Sequence, residues 1–227
     1  MNELLWFALL LVNFAVILFM FRFFGREGLA VWMGVSVIAA NIQVVKTIEI
    51  LGVTATLGNI VYASSFLITD ILSENYGKKA ARRVVYFGLA SIVGFTLLMN
   101  LALLFEPGAD DFAHESLSVI FGFLPRVAAA SLLAYVVSQL HDVWAYAVWK
   151  RKFSGIRRIW IRNNLSTMVS QLIDSLVFAT VAFVGVFPLP VFFEIVVTTY
   201  VLKVLVAAAD TPFVYVATRW VRRERET

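Results

Sequence analysis

Apolar runs of ~20 residues recur along this chain, and each is long enough, at ~1.5 Å per residue, to cross the ~30 Å hydrocarbon layer of a bilayer. Of the 227 residues, 61% are hydrophobic and 15% charged. Soluble domains use roughly 45–50% apolar residues, so no water-facing surface of ordinary composition can enclose this many. Lipid is the natural solvent, and in lipid every backbone polar group must be satisfied within a helix or a closed barrel. The reading is therefore an all-α integral membrane protein, a single transmembrane domain over residues 1–227. Breaks at charged and Pro/Gly-rich stretches place helices at Glu3–Phe21, Leu29–Leu51, Leu57–Leu72, Val84–Phe105, Phe123–Trp149, Asn164–Phe187 and Val191–Trp220. Met1-Asn2-Glu3 lacks the positive leader of a signal peptide, and no small-residue cleavage pattern follows, so the first run reads as a retained helix.

A net charge of +4 in a soluble protein would point to nucleic acid. Here the basic residues fall in short tracts between apolar runs, and topology accounts for them without a nucleic-acid partner. Arg22 and Arg26, then Lys78 to Arg83, then Lys150 to Arg162, then Arg219 to Arg225 occupy alternate loops, with 16 of the 19 Lys and Arg on one side. The opposite loops hold Glu106, Asp110, Asp111 and Glu115. By the positive-inside rule the N-terminus is outside and the C-terminus cytoplasmic, and seven spans preserve the alternation. The short loops, including Phe187-Pro188-Leu189-Pro190, leave function to the helices. Small residues four apart, Ala130, Ala134 and Ser138, allow close packing and permit a homodimer.

Ionisable groups inside a span cost roughly 2.5–3.5 kcal/mol at a helix centre and face a cavity or a partner. The second predicted helix carries Asn41, Gln43, Lys46 and Glu49; the third ends in Asp70 and Glu74; the fifth has Gln139 and Asp142. The sixth has Asn164, Gln171 and Asp174, and the seventh Lys203 and Asp210. On the sixth, Asn163, Thr167, Ser170 or Gln171, and Asp174 recur every three or four residues, a polar stripe that turns into the bundle. A short repeat adds to this: Val137-Ser-Gln-Leu-His-Asp142 on the fifth helix and Val169-Ser-Gln-Leu-Ile-Asp174 on the antiparallel sixth. Counting from Lys150 and from Arg162 puts both aspartates ~12–18 Å above the cytoplasmic edge. Transporters place substrate sites at such depths between antiparallel repeats.

These residue types suit a flat polar solute. A carboxylate accepts two parallel N–H donors of a guanine-like edge, and Gln or Asn amides meet its carbonyl and ring nitrogens. The plainer alternative is that the same amides hydrogen-bond one helix to another. Substrate-binding candidates are Asn41, Gln43, Lys46, Gln139, Asp142, Asn164, Gln171 and Asp174; coupling or gating candidates are Asp70, Glu74, Lys203 and Asp210. Lys46 either pairs with Glu49, three residues on, or meets the solute. Lys203 requires a carboxylate, from the fifth or sixth helix or from Glu194. Asp70 and Glu74, like charges four apart, require a cation, a proton or a basic partner. Asp210-Thr211-Pro212 sets a proline in the last helix, as a passive kink or a hinge.

Enzyme chemistry finds little support. There is no cysteine, and His114 and His141 are the two histidines, too few for a His-based metal cluster. No Walker loop, Gly-x-Ser-x-Gly elbow, His-Glu-x-x-His motif or Gly-x-Gly-Asp element is present, and neither a metal nor a cofactor is expected.

Several stretches carry a family resemblance. They are Asn41-Ile-Gln43-Val-Val-Lys46, Thr69-Asp70-Ile-Leu-Ser73-Glu74-Asn75-Tyr76-Gly77-Lys78-Lys79, Ser138-Gln139-Leu-His-Asp142, and Ile161-Arg162-Asn163-Asn164 through Gln171-Leu-Ile-Asp174. With them the chain resembles the queuosine precursor transporters, also grouped as vitamin-uptake-type transporters and earlier as a domain of unknown function. The resemblance implies residence in a bacterial inner membrane and uptake of a 7-deazaguanine precursor, the 7-cyano or 7-aminomethyl form. Energy coupling stays open among facilitated diffusion with metabolic trapping, proton coupling through a carboxylate such as Asp142, Asp174 or Glu74, and a partner ATPase module. The last would make the chain a substrate-binding membrane subunit.

Overall fold

A computed structural model describes residues 1–44, 46–50, 52–122, 125–183 and 188–226. Helix α1 (Asn2–Gln43) contains the first predicted span and most of the second. Gly25 interrupts it at φ 58°, a left-handed conformation that glycine adopts without steric cost. Trp32 Nε1 donates to Asn13 Oδ1 at 3.0 Å across 19 residues. A straight helix would hold those residues ~28 Å apart. The chain therefore doubles back at Gly25, and α1 is two antiparallel arms. Where they approach, a Cβ on Gly28 would lie 2.3 Å from the Met20 carbonyl oxygen, so only glycine fits.

The second predicted helix does not reach Leu51, which lies outside the described residues. It ends at Gln43, and β1 (Thr47–Ile50) pairs antiparallel with β2 (Val53–Thr56), Thr47 opposite Thr56 and Ile50 opposite Val53. The reason is local. Thr47, Ile48, Ile50, Val53, Thr54 and Thr56 are β-branched and favour extended backbone, and Gly52 supplies the turn at φ 77°. Lys46 and Glu49 are thus not neighbours on a helix; both are exposed on the hairpin, where Asn2 Nδ2 donates to the Glu49 carbonyl at 3.0 Å.

The remaining helices are α2 (Gly58–Asn75), α3 (Lys78–Ala102), α4 (His114–Gly122), α5 (Pro125–Lys152), α6 (Ile159–Phe183) and α7 (Leu189–Glu226). Helix α3 begins at Lys78, six residues before the predicted Val84, so its basic run lies in its first two turns. The predicted ends Phe123 and Phe187 lie outside the described residues. Pro212 sits inside a continuous α7. By length and composition, α1, α3, α6 with the turn before it, and α7 can cross a membrane. Helix α2 is the centre of the bundle: fourteen of its eighteen residues are buried, and it packs against α1, α3, α5, α6 and α7. A helix buried on nearly every face needs no lipid-facing stripe, which leaves its surface free for polar contacts.

The basic segments converge on one end of the bundle. The Arg22 guanidinium lies over the Trp220 ring and Arg26 over Tyr76, while Lys150 and Arg162 both reach Glu74. Arg162 differs from its sequence reading as a loop residue: it lies in the first turns of α6, 1% exposed.

Helix α4 was not expected; Asp111 starts it. Asp111 Oδ1 accepts from the backbone N–H of Ala113 at 2.7 Å and of His114 at 2.9 Å, and these two donors hold the carboxyl below the usual aspartate range. A depressed folded-state pKa means the cap contributes fully above the ordinary aspartate value of about 3.9 and is lost as pH falls through the folded value. Amide exchange at Ala113 and His114 should therefore stay slow at neutral pH and accelerate below about pH 4, beyond the intrinsic trend. Asp111→Ala should show fast exchange at both pH values; unchanged exchange in that variant would remove the capping role.

Candidate functional site

The two copies of the internal repeat meet. Helices α5 and α6 run antiparallel through Gly155, which turns at φ 90°, and form the most extensive helix pair in the bundle. Each repeat's aspartate faces a hydroxyl of the other helix: Ser138 Oγ donates to Asp174 Oδ1 at 3.0 Å, and Thr167 Oγ1 lies 3.3 Å from Asp142 Oδ1. Between them His141 Nδ1 and Ser170 Oγ are 2.9 Å apart.

Helix α2 lies across this pair and extends it into a polar column. At one end Asp174 forms a buried ion pair with Lys203 of α7 and accepts from the Tyr62 hydroxyl of α2. The Lys203 ammonium also stands 5.0 Å from the Tyr62 ring centroid, a cation–π contact that adds to its stabilisation. In the middle Gln139 Nε2 donates to Ser65 Oγ at 2.8 Å, and Thr69 Oγ1 lies 3.4 Å from both Gln139 Oε1 and Asp142 Oδ2. Lower still, Thr167 Oγ1 is 3.1 Å from Asp70 Oδ2. Asn163 Nδ2 donates to Asp210 Oδ1 at 2.7 Å, and Asn164 Nδ2 to Thr211 Oγ1 at 2.9 Å. The basic end is closed by Glu74, which takes Arg162 in a two-pronged contact: Nε to Oε2 at 2.8 Å and a terminal guanidinium nitrogen to Oε1 at 2.6 Å. Tyr146 donates to the same carboxylate at 3.1 Å.

The middle of the column is closed to the outside. Thr69, Asp70, Gln139, Asp142, Asn163, Thr167, Gln171 and Asp210 are fully buried, Asp174 and Lys203 nearly so. Gln171 stands out, because its amide nitrogen and oxygen both lack a hydrogen-bond partner. It lies one turn from Thr167 and three residues before Asp174, hence between the two ends of the column. A buried amide with neither group satisfied costs roughly 1–3 kcal/mol on mutational scales, a penalty that proteins rarely retain without use. A cleft of about 300 Å³ opens at the basic end among Asn75, Lys150, Thr218 and Arg222 and stops at the Glu74–Arg162 pair.

Of the sequence candidates, the structure unites Gln139, Asp142, Asn164, Gln171, Asp174, Asp70, Glu74, Lys203 and Asp210 along this column. Lys203 finds its carboxylate on α6, and Glu74 finds its base in Arg162, whereas Asp70 meets hydroxyl and acid instead. Asn41, Gln43 and Lys46 stand apart from it: Asn41 Nδ2 bonds the Val37 carbonyl of its own helix, Gln43 Oε1 is buried without a partner, and Lys46 is in solvent. The sequence reading missed Tyr62, Ser65 and Thr69. Their spacing of three and four marks one face of α2, a signal obscured because serine and threonine also bond their own helix, as Ser65 does with Tyr62 O and Thr69 with Phe66 O.

Many transporters carry polar groups between antiparallel repeats, and comparison with known proteins points to that class. Residues 56–217, which span α2 to α7, match the family described as "Putative vitamin uptake transporter". Along its whole length the chain is 41% identical to a "Probable queuosine precursor transporter" of Bacillus subtilis strain 168, covering 99% of that protein. The chain belongs to the queuosine precursor transporter family. A "Queuosine precursor transporter" of Escherichia coli strain K12 is 27% identical over 74% of this chain and 75% of its own length. A "Probable queuosine precursor transporter" of Haemophilus influenzae is 27% identical over 57% of this chain and 52% of its own. No solved structure matches. Family membership makes the chain a membrane transporter of a small molecule, not an enzyme, and the matched region contains every residue of the polar column.

Proposed function

We propose that the chain imports 7-deazaguanine precursors of queuosine, 7-cyano-7-deazaguanine foremost and its 7-aminomethyl counterpart with it, across the bacterial inner membrane. In this reading it is a seven-span bundle of one domain with the N-terminus outside and the C-terminus cytoplasmic, and the column is the substrate path. The observation that carries the proposal is the unpartnered Gln171 amide. A 7-deazaguanine presents a ring N–H beside a carbonyl, and one carboxamide answers both, Oε1 accepting and Nε2 donating. The exocyclic amino group then falls to a neighbouring carboxylate, Asp142 or Asp174, with Gln139 and Asn164 alongside. Asn41 and Gln43 stand at the outer end, where Gly58 of α2 packs against the Ala40 carbonyl, and Lys46 lies in solvent beyond them. The names of the relatives support the same class of solute.

The test is saturable uptake of labelled 7-cyano-7-deazaguanine into liposomes that contain only this chain. Gln171→Leu should reduce uptake about 10- to 100-fold, the equivalent of about 1–3 kcal/mol for an unpaired polar edge on the solute. The same change should leave thermal stability equal or higher, because an apolar side chain replaces an amide without partners. Wild-type uptake in the variant would sink the assignment of Gln171. Binding without flux would favour a substrate-binding subunit that works with a separate ATPase.

A further inference from the structure

Among the described residues five carboxyl groups lie buried or half-buried between the helices, and the cations serve two of them. Lys203 is committed to Asp174, and Arg162 with Lys150 to Glu74. Asp70, Asp142 and Asp210 remain, each fully buried, and no Lys or Arg among the described residues forms an ion pair with them.

Hydrogen counting shows what they lack. Thr167 Oγ1 lies 3.1 Å from Asp70 Oδ2 and 3.3 Å from Asp142 Oδ1, yet a hydroxyl has one hydrogen. If Thr167 donates to one carboxylate, the other contact is favourable only when that carboxyl carries a proton and donates to Oγ1. The second oxygen of Asp142 gains nothing from Thr69, whose hydrogen goes to the Phe66 carbonyl at 2.8 Å. Asp70 Oδ1 has no partner. A second observation comes from Asn163, fully buried and aimed at the group: its amide nitrogen donates to Asp210, but its own oxygen and Asp210 Oδ2 both lack a donor. Acceptors outnumber hydrogens on every side.

Among the described residues the surroundings supply no alternative charge. From α2 the facing ionisable group besides Asp70 is Glu74, held by Arg162; from α5 they are Tyr146, which donates to Glu74, and His141, which bonds Ser170. From α7 they are Asp210 and Lys203. Arg22 and Arg26 beside the Gly25 break of α1, and Lys78, Lys79, Arg82 and Arg83 at the start of α3, are exposed. No group of His, Asp or Glu among the described residues has the arrangement to hold a metal ion.

We propose that Asp70 and Asp142 share a proton across the Thr167 hydroxyl, and that this proton enters with each molecule of solute, so that uptake is proton-coupled. The proposal rests on the substrate reading above for the identity of the solute alone. One proton arrives from outside onto the pair while Gln171, one turn away on the same helix, takes the base. On the cytoplasmic side base and proton leave together, and the pair reloads from outside. The shared proton lowers the charge on the two adjacent carboxylates from two to one, which eases rearrangement of the loaded form in the low-dielectric interior.

The experiment uses the full chain in liposomes that enclose a pH-sensitive dye, with 7-cyano-7-deazaguanine as the probe. Addition of the base outside should acidify the lumen. An inward gradient of one pH unit should raise accumulation about tenfold at one proton per solute. Asp70→Asn should abolish acidification and gradient-driven accumulation but retain exchange of labelled for unlabelled base, which reports a folded carrier. Thr167→Ser should keep the coupling and Thr167→Val lose it. Accumulation indifferent to the proton gradient, driven by sodium instead, or undiminished in Asp70→Asn would overturn the proposal. If wild type moves none of the base, the substrate reading fails separately, and infrared spectroscopy of the purified chain then decides. A protonated-carboxyl band that titrates and is missing in Asp70→Asn upholds the shared proton, and absence of that band in the wild type overturns it.

Discussion

Lys203→Met is expected to destabilise the bundle by about 3–5 kcal/mol and to abolish uptake. The ammonium and the Asp174 carboxylate are 4% and 2% exposed. Removing one partner of such a pair leaves the other as an uncompensated buried charge. Asp174 would keep only the Tyr62 and Ser138 hydroxyls. The double variant Lys203→Met with Asp174→Leu should recover most of the stability, since a well-packed apolar pair commonly replaces a buried ion pair without loss. It should not recover uptake, because the column then has no charge at its upper end. Thermal unfolding in detergent and liposome uptake separate the two effects. A single variant that melts with the wild type would show that the pair is not formed in the membrane.

The second large effect is expected at the basic end. Arg162→Ala should cost about 3 kcal/mol, at the low end for a buried pair because the cleft lets water reach one side of Glu74. Two contributions combine. Glu74 loses its two-pronged partner and retains Tyr146 and the more distant Lys150 ammonium at 3.7 Å. The carbonyls of Phe153 and Gly155 also lose the guanidinium that bonds them at 2.8 and 2.9 Å, so the turn between α5 and α6 loosens. Arg162→Lys should recover little, because an ammonium cannot serve the carboxylate and both carbonyls in one plane. Proteolysis at the 153–158 turn would report that loosening, and a turn as resistant as in the wild type would refute it.

Both predictions concern residues that the sequence flagged only in part. The membrane class was legible because ~20-residue apolar runs admit no other solvent. The gathering of the basic tracts at one end was legible because charge alternates along the chain. The meeting of Asp142 and Asp174 helices was legible because a repeated hexapeptide on consecutive helices brings like faces together. Lys203 had to find a carboxylate, since an unpaired ammonium is too costly inside the bundle, but its pairing with Asp174 depended on how α7 lies against α6; the Glu194 side chain lies outside the described residues.

Other features were beyond any reading of spacing. Thr47–Ile50 and Val53–Thr56 pair as strands where the apolar run continues, because apolarity alone does not distinguish a short strand from the last turns of a helix. Arg162 reads as one more basic residue before a span; only the close approach of α2 makes it the counterion of a buried acid. Tyr62, Ser65 and Thr69 gain a role only because α2 occupies the centre, a position fixed by packing on five neighbours. Which residues must be hidden from lipid followed from the chain alone, since transfer cost is a property of each side chain. Tertiary structure decided which of them meet, since pairing depends on the depth and rotation of each helix, and left Gln171 with both amide groups free.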